Sequence, residues 1–586
     1  MSPTPLEVLH VGTASLTPGL QPDGTLHDPV FDCPTQYGTA YYAWCCSVLA
    51  DRLPVADATE AWRERARRAV AAAVRHTTDP EAEPYASGFD RATLSVTSRL
   101  NHRDFTWPPI MKTLLRDSEP DHRLIDAVSR ARIGELFRTV PPSNWAAVWM
   151  SGEWLRIQAD LATTTLEEFD RWIDVFFDRP DGVGFDLDLG LYVERGLPNA
   201  YDLFTRAHLT DLLANGYRSR NLERLRTFLE AGLRRSLAIQ LSDGSLASGY
   251  RSAGQTWVLG AQIALFHASA ELGLGTAEDQ AAARRAAWRA FRSLAQWQRP
   301  DREFSPVQNL LDPTLRVGYE AYTADGHYSP LALAFLAGAV AAGFGEQGPP
   351  PADAELDGRT AQVCAEAEPT FRGVAHRGRI SVAVQARADG VYDATGAVDL
   401  TFGAGRLLQL VSSTSPLNRR DWLVPGLAVR TATGAAPLTP VGSRRHCGPA
   451  ELRAGPEPSL RFRSVLEPLD DGPDPLAGCS YEYTVMVTDT GVDVVEEIPG
   501  CHRFRTLLVP YPRDIGIKEQ TTATATGQGI RLALGPEWVE VRLDDPIERI
   551  VDVPSGYASR RGLCGLVRID LRDPGDRLQW SVTSST

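Results

Sequence analysis

Residues 328–357 read YSPLALAFLAGAVAAGF and then GEQGPPPADAELD. The first part is apolar nearly all round and rich in Ala and Gly. A helix without a polar face must be enclosed by other helices. The stretch is too short and small-residue-rich for a membrane span, so it predicts a buried helix. In the second part Pro and Gly cluster and hydrophobic periodicity stops, the signature of a linker. Helical patterns lie upstream of this point and strand patterns downstream. The reading therefore predicts a helical part over 1–345, a linker over 346–357 and a β part over 358–586.

Upstream, two kinds of helix alternate. Ala61–His76 and Leu222–Leu237 are amphipathic; in the second, Leu222, Leu225, Leu229 and Leu233 share one face while Arg and Glu fill the other. Ala281–Trp297 behaves likewise. Thr256–Leu272, by contrast, is apolar all round, like the helix after Tyr328. Half-exposed helices covering enclosed ones predict two concentric rings. Each enclosed helix is preceded by a loop dense in aromatic and polar residues: PTQYGTAYYAW (34–44), NHRDFTWPP (101–109), PPSNWAAVW (141–149), GLPNAYDLFTRAH (196–208), SDGSLASGYRSAGQTW (242–257) and GYEAYTADGHYSP (318–330). Six recurrences, about one helical hairpin each, predict an (α/α) toroid whose loops converge on one end. Whether the ring closes is left open.

Downstream, Ile380–Val384, Leu407–Val411, Tyr481–Thr488, Val492–Ile498, Ile530–Leu534, Trp538–Leu543, Val567–Leu571 and Trp580–Val582 read as strands, several with period-two alternation. Short strands with Gly, Pro and Asp turns predict an antiparallel β-sandwich.

Composition narrows the function. The formal net charge of −14 excludes the basic footprint of a general nucleic-acid binder. The start lacks a secretory pattern, and no membrane partner is expected. The eight cysteines form no C-x-x-C pair or zinc spacing, and they read as free cytoplasmic thiols. No P-loop, dinucleotide fingerprint, G-x-S-x-G or H-E-x-x-H motif is present. No metal or organic cofactor is expected, and a homo-oligomer is compatible with the chain.

Aromatic faces for sugar rings beside polar groups, gathered at one mouth, would make a carbohydrate cleft. Two segments are densest: Asn199, Tyr201, Arg206 and His208, where Tyr201 and His208 share one helix face; and Tyr319, Glu320, Tyr322, Asp325, His327 and Tyr328, with His327 and Tyr328 placed just before the helix and Pro330 in its first turn.

A helical toroid followed by a β-sandwich resembles the polysaccharide lyases of the chondroitin AC and hyaluronate lyase kind, with their alginate- and heparin-cleaving cousins. Asn144-Trp145 in SNWAAVW resembles the Asn-Trp start of an inner helix in the hyaluronate-lyase group. Asn199 in PNAYDL resembles its carboxylate-binding Asn segment, in a different order. Asp243-Gly244-Ser245 resembles its Asp-Gly-Ser ahead of the catalytic His and Tyr. Here LASGYRSAGQ follows, with Tyr250 and Arg251 but no His, so that His is not carried over.

The resemblance implies β-elimination: a base takes the proton beside a uronate carboxylate while a polar partner neutralises that carboxylate, and an acid protonates the leaving oxygen. One well-placed donor to the developing charge contributes roughly 3–4 kcal/mol, and Tyr or His suits the acid–base roles. Tyr322, His327, Tyr328 and His208 are the expected catalytic residues. Asn199, Tyr201, Arg251, Gln255, Asn144, Trp145, His102 and Trp107 are the expected binders of an acidic oligosaccharide. His376, Arg444, Arg445 and His446 are weaker contributors from the β part. The rival reading is a glycoside hydrolase with paired carboxylic acids, drawn from Glu153, Asp202, Asp243, Asp312, Glu320 and Asp325. A non-catalytic carbohydrate-binding protein is the third.

Overall fold

The computed structural model of the chain describes residues 3–54, 56–132, 144–178, 184–193, 200–247, 249, 251–300, 302–350, 362–365, 372–385, 396–403, 410–411, 424–429, 444–447, 451–453, 455–467, 477–500, 505–572 and 575–585. Among these residues there are twelve α-helices: α1 Pro5–Leu16, α2 Gly38–Arg52, α3 Ala56–Thr78, α4 Arg103–Arg116, α5 His122–Arg130, α6 Asn144–Gln158, α7 Leu166–Phe177, α8 Ala200–Ala214, α9 Leu222–Ile239, α10 Thr256–Glu271, α11 Ala277–Ala295 and α12 Asp325–Ala341. Among the described residues the next regular element begins at Gln362.

The even-numbered helices α2, α4, α6, α8, α10 and α12 pack each against the next, and α12 returns to α2, so the inner ring is closed. Backbones approach closely at the joints. A Cβ on Gly38, at the start of α2, would collide with the Gly326 carbonyl of α12, and one on Gly260 would come within 2.5 Å of the Ala332 carbonyl oxygen. Only glycine permits those approaches.

The outer helices α1, α3, α5, α7, α9 and α11 cover the ring. Four outer helices carry side-chain caps at their first turns, whereas Asn221 at the start of α9 makes none. Thr4, Thr165 and Thr276 form capping boxes on α1, α7 and α11, and Asp121 caps α5. The inner helices α2, α4, α10 and α12 carry no side-chain cap. One expectation needs correcting. The helix of the opening segment begins at Asp325, so His327 and Tyr328 lie inside its first turn and Pro330 sits within it.

The β part contains a nine-stranded, a five-stranded and a four-stranded antiparallel sheet. Ser480–Val487 alternates buried and half-buried residues, as its period-two pattern predicts. Arg505–Asp514 went unread as a strand because Pro510 and Pro512 argue against one. Both lie beyond the stretch paired with Gly426–Val429, while the other side of the strand pairs with Gly562–Leu571. Among the described residues no helix is long and apolar enough to cross a membrane.

The β part is fastened to the ring by polar contacts. Ser242 Oγ lies 2.8 Å from Thr401 Oγ1, and the His376 ring bridges Ser381 Oγ and the Ala238 carbonyl. His376 is thus a buried tie between the two parts. The side chains of Arg444, Arg445 and His446 lie outside the described residues.

Candidate active site

The six inner helices begin at the same end of the ring, and a cleft of about 270 Å³ opens there. Each helix contributes at its start: Tyr37 from α2, His102 and Phe105 from α4, Trp145 from α6, Tyr201 from α8, Trp257 from α10 and Tyr328 from α12. Arg251 and Tyr322 enter from the preceding loops, and Ser87 and Ser98 from the hairpin over 86–99. The aromatic loops read in the sequence do converge. Tyr37 stacks on Phe105 at 4.9 Å, and Phe105 on Phe204 at 5.5 Å. No Asp or Glu lines this cleft among the described residues.

Polar groups behind the wall hold the tyrosines. Ser252 is fully buried and has a φ of +62°, a conformation that costs a non-glycine residue about 1–3 kcal/mol and persists where surroundings enforce it. Its hydroxyl lies 3.0 Å from the Tyr201 hydroxyl and 2.8 Å from that of Tyr322. Its N–H donates to Glu320 at 3.0 Å. Glu320 also accepts from Gln255 Nε2 at 2.7 Å and meets Arg560 of the β part at 3.4 Å.

Burial raises the Tyr201 hydroxyl above its ordinary pKa, while the Arg251 guanidinium, 4.6 Å above its ring, pulls the other way. Burial pushes Tyr322, Tyr328 and Tyr37 well above theirs. The His102 imidazole is pushed down to about 4 by burial, so it lines the cleft in its neutral form.

Six of the expected residues therefore meet at the cleft: Tyr322, Tyr328, Tyr201, Arg251, Trp145 and His102. Others do not reach it. His327 is fully buried behind the wall; its Nε2–H donates to the Tyr322 carbonyl at 3.0 Å, and burial drives its pKa far down. Gln255 is spent on Glu320, Thr323 and the Trp257 indole. Trp107 is sealed in the core under the Arg156 guanidinium, and Asn144 is buried at the start of α6.

His208 is displaced furthest. Seven residues beyond Tyr201 on α8, it lines a second cavity of about 350 Å³ formed by the later turns of the inner helices. Burial takes its pKa to about 3. Helical spacing kept the two side chains on one face but also carried His208 about two turns away from the mouth. Asn199 and Tyr250 lie outside the described residues.

The sequence offers Ser252 only as a helix N-cap and marks neither it nor Tyr37 as a site residue, although both sit in the aromatic loops. Ser252 announces itself only through its backbone conformation, and Arg560 carried no local signal.

The acids of the rival reading are all engaged elsewhere. Glu153 pairs with Arg156, Asp202 with Arg206, Asp243 with Arg561, and Asp325 with Arg299 and the Tyr319 hydroxyl. Asp312 caps a short turn.

No protein-family model matches the chain, and no curated protein sequence matches it. Solved structures do. The Streptomyces coelicolor A3 chondroitin AC lyase in complex with chondroitin sulphate matches with a TM-score of 0.50 at 12% identity, over 100% of this chain and 80% of that one. Heparinase III matches at 0.37 and 11%, over 94% and 85%. A Paenibacillus xanthan lyase matches at 0.46 and 8%, over 99% and 57%. The fold of this chain, a closed helical toroid followed by antiparallel sheets, is similar to that of the polysaccharide lyases.

Proposed function

We propose that the protein cleaves uronic-acid-containing oligo- or polysaccharides by β-elimination. One observation carries the reading: the cleft presents four tyrosines and an arginine and no carboxylate among its described lining residues. Hydrolysis by paired acids has nothing to work with there, whereas elimination needs hydroxyl acid–base groups and a cation.

In this reading Arg251 binds the uronate carboxylate and stabilises the charge that develops when the neighbouring proton leaves. Tyr201, under the same guanidinium, serves as phenolate base, the cation countering the burial that favours its neutral hydroxyl. Tyr322, held neutral by burial, protonates the departing glycosidic oxygen. Tyr328, its ring 6.3 Å from that of Tyr322, orients the sugar ring, and the exposed Trp145 offers an apolar face. The uncapped first turns of α2, α4, α10 and α12 add partial positive charge at this mouth, which suits an anionic sugar. His327 acts at one remove, by fixing the Tyr322 backbone. We keep an intracellular setting and short imported substrates as part of the proposal, supported by the free Cys33, Cys45, Cys46, Cys479 and Cys564.

Incubation with uronate-containing oligosaccharides tests it. Elimination leaves a conjugated alkene–carboxylate that absorbs in the ultraviolet. New reducing ends without that absorbance would overturn the reading in favour of hydrolysis.

A further inference from the structure

We propose that Ser252 is a proton relay that resets the two cleft tyrosines after each turnover, and that Glu320 and Arg560 are positioning residues that hold it in place. The proposal rests on the elimination reading above.

The geometry is specific. Tyr201 and Tyr322 come from different elements, and the Ser252 hydroxyl stands between theirs at 3.0 and 2.8 Å. Ser252 is fully buried, so its hydroxyl serves those two groups and, at 3.5 Å, a Glu320 carboxylate oxygen, rather than bulk water. It holds a left-handed backbone that a serine rarely adopts, which points to an enforced placement.

Enforcement comes from below. The Ser252 N–H donates to both Glu320 oxygens, at 3.0 and 3.2 Å. Glu320 is itself buried and is held by Gln255 and, at 3.4 Å, by Arg560. Arg560 lies at the turn between strands 547–559 and 562–571 of the β part. Its carbonyl accepts from Asn309 Nδ2 at 3.0 Å, and a Cβ on Gly318 would stand 2.7 Å from its Cα. The next residue, Arg561, meets Asp243 of the ring at 3.5 Å. A β turn thus reaches into the toroid and ends beneath the tyrosines.

The chemistry leaves a mismatch that such a bridge resolves. After elimination Tyr201 has gained the proton taken from the sugar carbon, and Tyr322 has lost the proton given to the leaving oxygen. The next cycle needs the reverse. The Tyr201 proton passes to the Ser252 oxygen while the Ser252 proton passes to the Tyr322 phenolate. Tyr201 becomes phenolate, Tyr322 becomes phenol, and Ser252 ends as a hydroxyl. Atoms and charge balance, and no outside acid or base takes part.

Ser252→Gly removes the hydroxyl and suits the positive φ. With a uronate oligosaccharide that the wild-type protein converts, this variant is expected to retain its first turnover. Its steady-state rate should fall by about 10- to 100-fold, a burst of one product per protein molecule should appear, and KM should stay within about 2-fold. Arg560→Gln, at a residue that does not line the cleft, is expected to lower the steady-state rate by about 3- to 10-fold with the same signature.

A Ser252→Gly protein with wild-type steady-state turnover would overturn the relay while leaving the elimination reading intact, because the tyrosines would then exchange protons directly. Equal loss of first and later turnovers would reduce Ser252 to a structural prop and overturn the relay as well. Wild-type protein that yields no ultraviolet-absorbing product would instead overturn the elimination reading, and the relay with it.

Discussion

At the N-terminal mouth of the ring a cleft of about 270 Å³ is lined by Tyr37, Tyr201, Tyr322, Tyr328, Trp145, Trp257 and Arg251; at the C-terminal mouth a cavity of about 350 Å³ is lined largely by Ala207, Ala264, Ala268, Ala334 and Gly338, with the Lys112–Asp211 pair at its side. The same six helices build both. What differs is the end of the helix each exposes. First turns present N–H groups and partial positive charge, whereas last turns present carbonyls. Lys112 and Arg116, near the end of α4, stand over the Trp44 ring at 5.6 and 5.5 Å and complement the carbonyl end. Cavity size alone would favour the C-terminal mouth over the one proposed to bind an acidic sugar. Chemistry and helix direction favour the other one.

The largest expected contrast between the mouths is catalytic. Tyr322→Phe should lower kcat by about 10²–10⁴-fold with an unchanged unfolding midpoint. A loss that large from a substitution at the C-terminal mouth, with Tyr322→Phe active, would invert the comparison.

Next in size is a change that damages both mouths together. Helix α8 carries Tyr201 at one end and His208 towards the other, and the fully buried Arg206–Asp202 pair, 2.6 Å apart, anchors it. Arg206→Met leaves a buried carboxylate without its cation and should cost roughly 3–5 kcal/mol in urea unfolding. A near-neutral value would show that α8 is held by its apolar face alone.

A smaller effect separates the mouths by pH. The folded-state pKa of His208 is about 3, below the unfolded value of roughly 6.5. Between those values the unfolded chain binds a proton that the folded one refuses. Stability is therefore lost as pH falls below 6.5, by roughly 2 kcal/mol at pH 5 for a single such histidine. His102, at about 4, and His327 act in the same direction. Asp28 and Asp104, raised to about 6 and about 7 by burial, oppose it, because their protonated forms favour the fold and that gain is lost as pH rises. His208→Gln should remove its own share of the acid loss at pH 5 and leave turnover unaltered. A fall in turnover would return His208 to the catalytic residues.

Smallest is Gly338→Ala. A Cβ there meets nothing within 4 Å, so helix α12 should gain roughly 0.5–1 kcal/mol without any change in rate.

Legibility in the sequence followed the range of the interactions. The stretch over 328–357 and its flanking periodicities gave up the helical-then-β order, because helix and strand periods are written in neighbouring residues. The enclosed helices were equally legible, since a helix with no polar face has only one environment open to it. Loops rich in aromatics at their starts pointed to the mouth on which they converge. The strand over 505–514 was hidden by Pro510 and Pro512, which are tolerated only because of where its partner stops.

Side-chain direction was a different matter. Tyr37 and Trp107 stand in similar aromatic loops, yet one lines the cleft and the other is sealed beneath Arg156. His208 shares a face with Tyr201 and serves another cavity. Glu320 and Asp325 looked available as acids until buried cations and hydrogen-bond donors claimed them.

By itself, then, the sequence determined the order of the two parts, the inner and outer helices and the end of the ring where the aromatic loops gather, because each rests on local periodicity and on residues a few positions apart. Only the tertiary structure decided that the ring closes, through backbones meeting at Gly38 and Gly326, and that Ser252 stands between two tyrosines above a carboxylate paired with Arg560, 240 residues further along the chain. Those contacts join residues that no local pattern relates, and packing alone brings them within hydrogen-bonding range.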